Sequence, residues 1–239
     1  MKEILKVEKL SKSYNNIKVV DDLSISIKKG TVFGLLGANG AGKSTTIECI
    51  LGIKPLDAGN VSIFGLNPRK NRKKLFQKIG VQFQEANYQN EIKVNELCEE
   101  TACLYSNPAD WHELLRKFGI GNKEKNAVKD LSGGERQRLF IILALIPKPD
   151  IVFLDELTTG LDLKARRDVW NILKKLKDDG LTFLLTSHFM DEVEILCDEI
   201  CILKKGQTVF YGTISEAIKN SPYENFEDAY LWYADEEGI

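Results

Sequence analysis

Residues 31–50 read TVFGLLGANGAGKSTTIECI, and this stretch decides the fold. Thr31–Leu36 is a continuous apolar run, the pattern of a strand covered on both faces in a parallel sheet. It ends in a glycine-rich loop, and the spacing that follows predicts a helix from Lys43 to about Gly52. The loop itself, GANGAGKST at 37–45, fits the phosphate-loop pattern GxxxxGK[ST] in its required setting, a strand before and a helix after. Gly37, Gly40 and Gly42 let the backbone turn so that its N–H groups, with those of Asn39, Ala41 and Thr45, converge on one concavity. The helix adds its positive N-terminal end. Lys43 brings a full charge to the β- and γ-phosphates of a nucleotide, and the Ser44 hydroxyl is a ligand for Mg²⁺.

Working outward, Ile4–Leu10 and Val19–Ile27 alternate apolar and polar residues, which predicts a pair of half-buried strands before the loop. Val94–Tyr105, Trp111–Phe118 and Glu135–Leu145 read as helices, the last stopped by Pro147 and Pro149. Buried strands are expected at Ile151–Leu154 and Thr182–Leu185, separated by a helix over about 164–177, and short strands at Ile200–Leu203 and Thr208–Tyr211 precede a helical tail from Glu224. Strands alternating with helices of this length imply βαβ units. The expected fold is therefore a single α/β domain over 1–239. A P-loop core with a mainly parallel sheet and an N-terminal antiparallel β subdomain occupies 1–84 and 147–239, and an inserted α-helical lobe occupies 85–146.

A P-loop alone does not select a reaction. A GTPase would carry an NKxD base-reading motif, and NKEK at 122–125 fails it. Two further motifs discriminate. Ile151–Glu156 reads IVFLDE, with two carboxylates at the end of a buried strand, where sites in open α/β sheets form. Asp155 stands where Mg²⁺ is held and Glu156 where a general base polarises water. LSGGE at 131–135 places Ser132, Gly133 and Gly134 in a second anion-binding turn at a helix start.

P-loop, LSGGE and a hydrophobic strand ending in DE, in this order and spacing, resemble the ABC ATPase family over about residues 4–215. The resemblance implies an ATP-hydrolysing subunit using ATP and Mg²⁺. It also implies a head-to-tail dimer, homodimeric or with a related ATPase domain, in which LSGGE of one subunit covers ATP on the P-loop of the other. The expected partner is a separate transmembrane permease. The resemblance further assigns Tyr14 to stacking on adenine, Gln84 (with Gln82 as an alternative) to Mg²⁺ and the attacking water, Asp162 to communication across the dimer and His188 to the γ-phosphate. The runs SHFMDEVEILCDEICILKKGQTVFYGT and ENFEDAYLWYADEEG are similar to the bacterial drug- and peptide-efflux branch, so an exporter is expected.

The pattern departs from the family at one place. DEP is usual after the hydrophobic strand; here Leu157 follows Glu156. A proline would bias Glu156 toward an extended backbone. Leu157 lifts that restraint while both carboxylates remain.

The formal charge of -2 gives no global field to attract nucleic acid, and no direct nucleic-acid partner is expected. No apolar run approaches bilayer length and the start lacks signal-peptide features, so a cytoplasmic protein, peripheral on the cytoplasmic face of the membrane, is expected. Arg69–Lys78 reads as a helix with a solvated basic face, and the five cysteines as buried free thiols. An ABC ATPase acting on ribosomes or DNA is the alternative function; the single cassette without a coiled-coil insertion favours transport. A small-molecule kinase has no use for LSGGE.

Overall fold

The computed structural model describes residues 2–83, 88–89 and 91–234. Strands β1 (Glu3–Tyr14) and β2 (Ile17–Lys28) form an antiparallel hairpin running from Glu3↔Lys28 to Tyr14↔Ile17. Asn15 and Asn16 close it at φ 49° and 64°, the left-handed pair that matches the twist of a two-residue hairpin. Strand β4 (Ala58–Ile63) joins the other edge of β1, giving the order β2-β1-β4. The sequence reading missed β4 because Gly59 and Asn60 are poor strand formers. Gly59 is required by close approach: at φ 90°, a Cβ there would lie 2.3 Å from the Lys9 carbonyl oxygen.

The second sheet has the order β5-β6-β7-β3-β8-β9. β3 (Val32–Gly37), β5 (Ile79–Gln82), β6 (Ile151–Asp155), β7 (Thr182–Thr186) and β8 (Glu199–Lys204) are parallel, and β9 (Gln207–Gly212) is an antiparallel edge. β3, β6 and β7 are buried at every residue, which is why their sequences run apolar without alternation.

Helix α1 (Lys43–Ile50) follows β3, and Gly52 just beyond it takes φ 69°, the usual left-handed exit. The basic run at 69–78 is corrected: α2 spans only Arg72–Leu75, because Leu75 is drawn into the core and β5 begins at Ile79. Helices α3 (Val94–Cys103), α4 (Trp111–Lys117) and α5 (Gly133–Leu145) fill the middle of the chain. α5 lies directly on β5, where a Cβ on Gly80 would sit 2.1 Å from the Ala144 carbonyl oxygen. α6 (Leu163–Asp178) and α7 (Met190–Leu196) flank β7, and α8 (Ile214–Lys219) and α9 (Phe226–Ala234) close the chain.

Three apolar clusters result among the described residues. One joins the antiparallel sheet to α1 and one face of the central sheet, a second joins the opposite face to α3–α6, and a third packs α7–α9 on β8 and β9. The cysteine expectation holds for Cys49, Cys98 and Cys201; Cys197 is half-buried and Cys103, the last residue of α3, is exposed. No helix among the described residues is long and apolar enough to cross a membrane.

Candidate functional site

β5, β6, β7 and β3 are neighbours in the sheet and run in one direction, so their carboxyl ends open on one crevice. Each delivers part of the predicted constellation: Gln82 from β5, Asp155 and Glu156 from β6, His188 just past β7, and the P-loop from β3. A cleft of about 560 Å³ is lined there by Val19, Asn39, Gly40, Gly42, Lys43, Ser44, Thr45, Glu156, Thr159 and His188.

The P-loop owes its shape to its glycines. Gly42, the N-cap of α1, has φ 103°, and a Cβ there would stand 2.5 Å from the Val19 carbonyl oxygen. Gly37, at φ 148°, is equally close to the Leu203 carbonyl oxygen. Gly40 takes φ 81° facing open space, and Ala41 is buried beneath it. Lys43 is 5 % exposed, and its ammonium donates to the carbonyls of Gly37 (2.9 Å) and Ala38 (3.2 Å). Burial pushes this lysine below its usual range, against the pull of the Glu156 and Asp155 charges. Ser44 is exposed on the cleft.

Asp155 is buried and accepts a 2.5 Å hydrogen bond from the Thr186 hydroxyl. The Glu156 N–H donates to the Thr186 carbonyl (3.2 Å) and hydroxyl (3.0 Å), and its carboxylate meets His188 Nε2 at 2.6 Å. The backbone of Glu156 is left-handed, φ 50°, a conformation that costs a non-glycine residue about 1–3 kcal/mol. The Leu157 departure thereby acquires a structural account. Glu156 does not adopt the extended backbone that a following proline imposes. It is held by its bonds to Thr186 and by Leu157, which is 3 % exposed in the helical-side core and whose carbonyl accepts from Gln137 Nε2.

Magnesium is commonly bound through one or two protein oxygens together with waters and phosphates. The donors here fit that habit: the Ser44 hydroxyl, the Asp155 carboxylate and the buried Gln82 Oε1, which has no hydrogen-bond partner among the described residues. Gln82 Nε2 is already committed to the Phe83 carbonyl at 2.7 Å. Gln84 lies outside the described residues.

Other predicted residues stand apart from the cleft lining. Tyr14 ends β1, is 39 % exposed, and has the ammoniums of Lys12 and Lys54 at 5.3 and 5.4 Å from its ring centroid. Asp162 caps α6, its Oδ1 accepting from the Ala165 N–H at 2.8 Å. Ser132 caps α5 in a reciprocal box with Glu135. The turn Ser132–Gly134 sits beside the start of α6: a Cβ on Gly133 would be 3.4 Å from Leu161 and one on Gly134 3.0 Å from Ala165. The sequence reading missed Thr159 as a cleft residue and Thr186 as the partner of both carboxyl-bearing residues. Neither belongs to a motif that spacing alone identifies.

Residues 20–159 match the family model described as ABC transporter. The chain is 39 % identical over 220 residues to Nod factor export ATP-binding protein I of Ralstonia nicotianae, covering 90 % of this chain and 68 % of that protein. It is 37 % identical over 215 residues to linearmycin resistance ATP-binding protein LnrL of Bacillus subtilis, covering 88 % and 69 %. Daunorubicin/doxorubicin resistance ATP-binding protein DrrA of Streptomyces peucetius shares 36 % over 214 residues, covering 87 % and 64 %. A solved ATP-binding subunit of an ABC transporter superposes with TM-score 0.87 at 25 % identity, over 96 % of this chain and 99 % of that one. Family match, relatives and fold agree: this chain belongs to the ABC transporter family, as an ATP-binding subunit that hydrolyses ATP to drive transport.

Proposed function

We propose that two ATPase domains, two copies of this chain or one copy and a related one, close head to tail on two MgATP molecules and drive a separate transmembrane permease that exports its cargo. One observation carries this reading. The P-loop cleft lacks Ser132, Gly133 and Gly134 from its lining, while Ser132 and Gly133 are exposed beside α6. Each copy therefore presents two incomplete phosphate sites, and a head-to-tail pair completes both.

In this reading residues Gly37–Thr45 cradle the phosphates. Lys43 moves from its two carbonyls to the β- and γ-phosphate oxygens, and Ser132–Gly134 of the other subunit approach from the opposite side. Glu156 takes the proton of the attacking water, and His188, already on its carboxylate, contacts the γ-phosphate. Ser44 and Asp155, with Gln84 or its alternative Gln82, would hold Mg²⁺, which supplies charge neutralisation between the phosphates when bound. Asp162 lies at the dimer seam. The core at 1–84 and 147–239 performs this chemistry and the lobe at 85–146 carries LSGGE. The names of the relatives, for Nod factor export, linearmycin resistance and daunorubicin/doxorubicin resistance, support an exporter. The subunit would sit on the cytoplasmic face of the membrane, held by its permease and without direct contact to nucleic acid.

Tyr88, Gln89, Ile92, Leu97 and Glu100 line a surface groove of about 480 Å³ that suits a permease helix. Tyr88 also leans on Phe140 of α5, with ring centroids 6.1 Å apart, so a partner pressing on the groove also presses on the helix that begins at LSGGE. Tyr88→Ala is expected to abolish transport in vesicles containing the permease while basal ATP hydrolysis stays within about two-fold. Intact transport would move the coupling surface elsewhere. Tyr14→Ala is expected to lose about 1–3 kcal/mol of ATP affinity, the worth of a base–aromatic stack, and Tyr14→Phe very little. Calorimetric titration showing unchanged affinity in the alanine variant would remove Tyr14 from the adenine site.

A further inference from the structure

Glu192 lies in the first turn of α7, is 3 % exposed, and does not line the cleft. Its two carboxylate oxygens are divided between two elements. Oε1 accepts from Trp170 Nε1 of α6 at 2.8 Å, and Oε2 accepts from the hydroxyl of Ser187. Ser187 is itself buried and directly precedes His188, and its Oγ accepts from the Phe189 N–H at 3.0 Å. α6 grips the same turn a second time. The Arg166 guanidinium lies 4.1 Å from the centroid of the Phe189 ring, and it reaches Asp191 at 3.7 Å. Arg166 and Trp170 are one turn apart on α6 and so share a face.

A buried carboxylate is costly, and burial pushes the Glu192 carboxyl above its usual range against the bonds from Ser187 and Trp170 and the pull of the Thr158 side chain. An apolar side chain would fill the place at lower cost. What it would not do is fix the orientation of the Ser187–His188–Phe189 turn. The geometry points to Glu192 as a positioning residue: through Ser187 and Trp170 it locks this turn onto α6 and so holds His188 Nε2 against the Glu156 carboxylate. This rests on the proposed role of His188 in hydrolysis. Misplacing a catalytic group by about 1 Å costs up to about 10²-fold in rate.

The test is steady-state ATP hydrolysis by Glu192→Ala, Glu192→Gln, Ser187→Ala, His188→Ala and the double variant Ser187→Ala/His188→Ala. Glu192→Ala and Ser187→Ala are expected to lower kcat by about 10- to 10²-fold with KM for ATP within about two-fold. Glu192→Gln retains an acceptor for Trp170 and an amide for Ser187 Oγ, and so keeps kcat within about three-fold. In the His188→Ala background, Ser187→Ala costs nothing further, since its effect acts through His188. A merely structural role predicts the same factor in both backgrounds, and that result overturns the inference. So does parent kcat in Ser187→Ala, or a Glu192→Gln variant as slow as Glu192→Ala. Should Glu192→Ala fail to fold, Ser187→Ala, which deletes one hydroxyl, decides alone. A His188→Ala protein hydrolysing at the parent rate instead sinks the reading of His188 on which the inference rests.

Discussion

Glu156→Gln is expected to hydrolyse MgATP about 10²–10⁴-fold more slowly than the parent, the usual loss of a general base, while binding ATP with nearly unchanged affinity. The amide keeps the shape of the side chain and a hydrogen-bond partner for His188, and the backbone N–H of residue 156 keeps its bonds to Thr186. What it loses is basicity, which matters in the transition state and not in the ground state. Nucleotide that binds and is not consumed should hold two subunits together. The variant is therefore expected to elute as a dimer with MgATP and as a monomer without it, and Ser132→Arg in the same chain to return it to monomer. Size-exclusion chromatography with light scattering reads both states. Hydrolysis at the parent rate would remove Glu156 as the base; tight MgATP binding by a persistent monomer would count against the shared site.

The second large effect is at Lys43. Its ammonium is buried on two carbonyl oxygens and held below the normal lysine range by that burial. Lys43→Met should therefore leave the empty protein as stable as the parent, because the methionine needs no hydration. ATP binding should fall by about 2–5 kcal/mol, the cost of deleting one partner of a buried, hydrogen-bonded charge pair, or roughly 30- to several-thousand-fold. The two measurements are melting without ligand and calorimetric titration with MgATP. A pH arm follows from linkage. A lysine whose folded pKa is depressed binds fewer protons folded than unfolded. Its contribution to parent stability thus rises with pH from the lowered folded value up to the ordinary lysine value of 10.5. Lys43→Met lacks that rise. A variant that melts far below the parent at neutral pH would show the ammonium to be part of the scaffold.

The legibility of this chain varies with how locally each feature is written. The P-loop, IVFLDE and LSGGE were readable because each is a contiguous strand-turn or turn-helix unit whose backbone chemistry is fixed by its own residues. β4 was not, because Gly59 looks like a strand breaker until β1 is seen lying against it. The basic run at 69–78 carried a helical pattern, but β5 claims the chain at Ile79 and leaves α2 a single turn. Glu192, Ser187 and Trp170 fall on α7, the turn after β7 and α6, and in sequence each reads as an ordinary member of its own element.

The sequence by itself determined the local motifs: a glycine-rich P-loop with its lysine, two carboxylates at a buried strand end and an LSGGE turn that opens a helix. These follow from residue type and short-range spacing, which backbone sterics and hydrogen bonding convert directly into local shape. Only the tertiary structure decided which of these meet. The parallel order of β5, β6, β7 and β3 gathers Glu156, His188 and the P-loop on one cleft, whereas α5 carries LSGGE to the start of α6, outside the lining of that cleft. The left-handed backbone of Glu156 was likewise settled by packing, through the Thr186 bonds and the burial of Leu157. The physical reason is common to these cases. Strand order, helix placement and a strained φ are set by contacts between residues distant in sequence, whose energies no local pattern encodes.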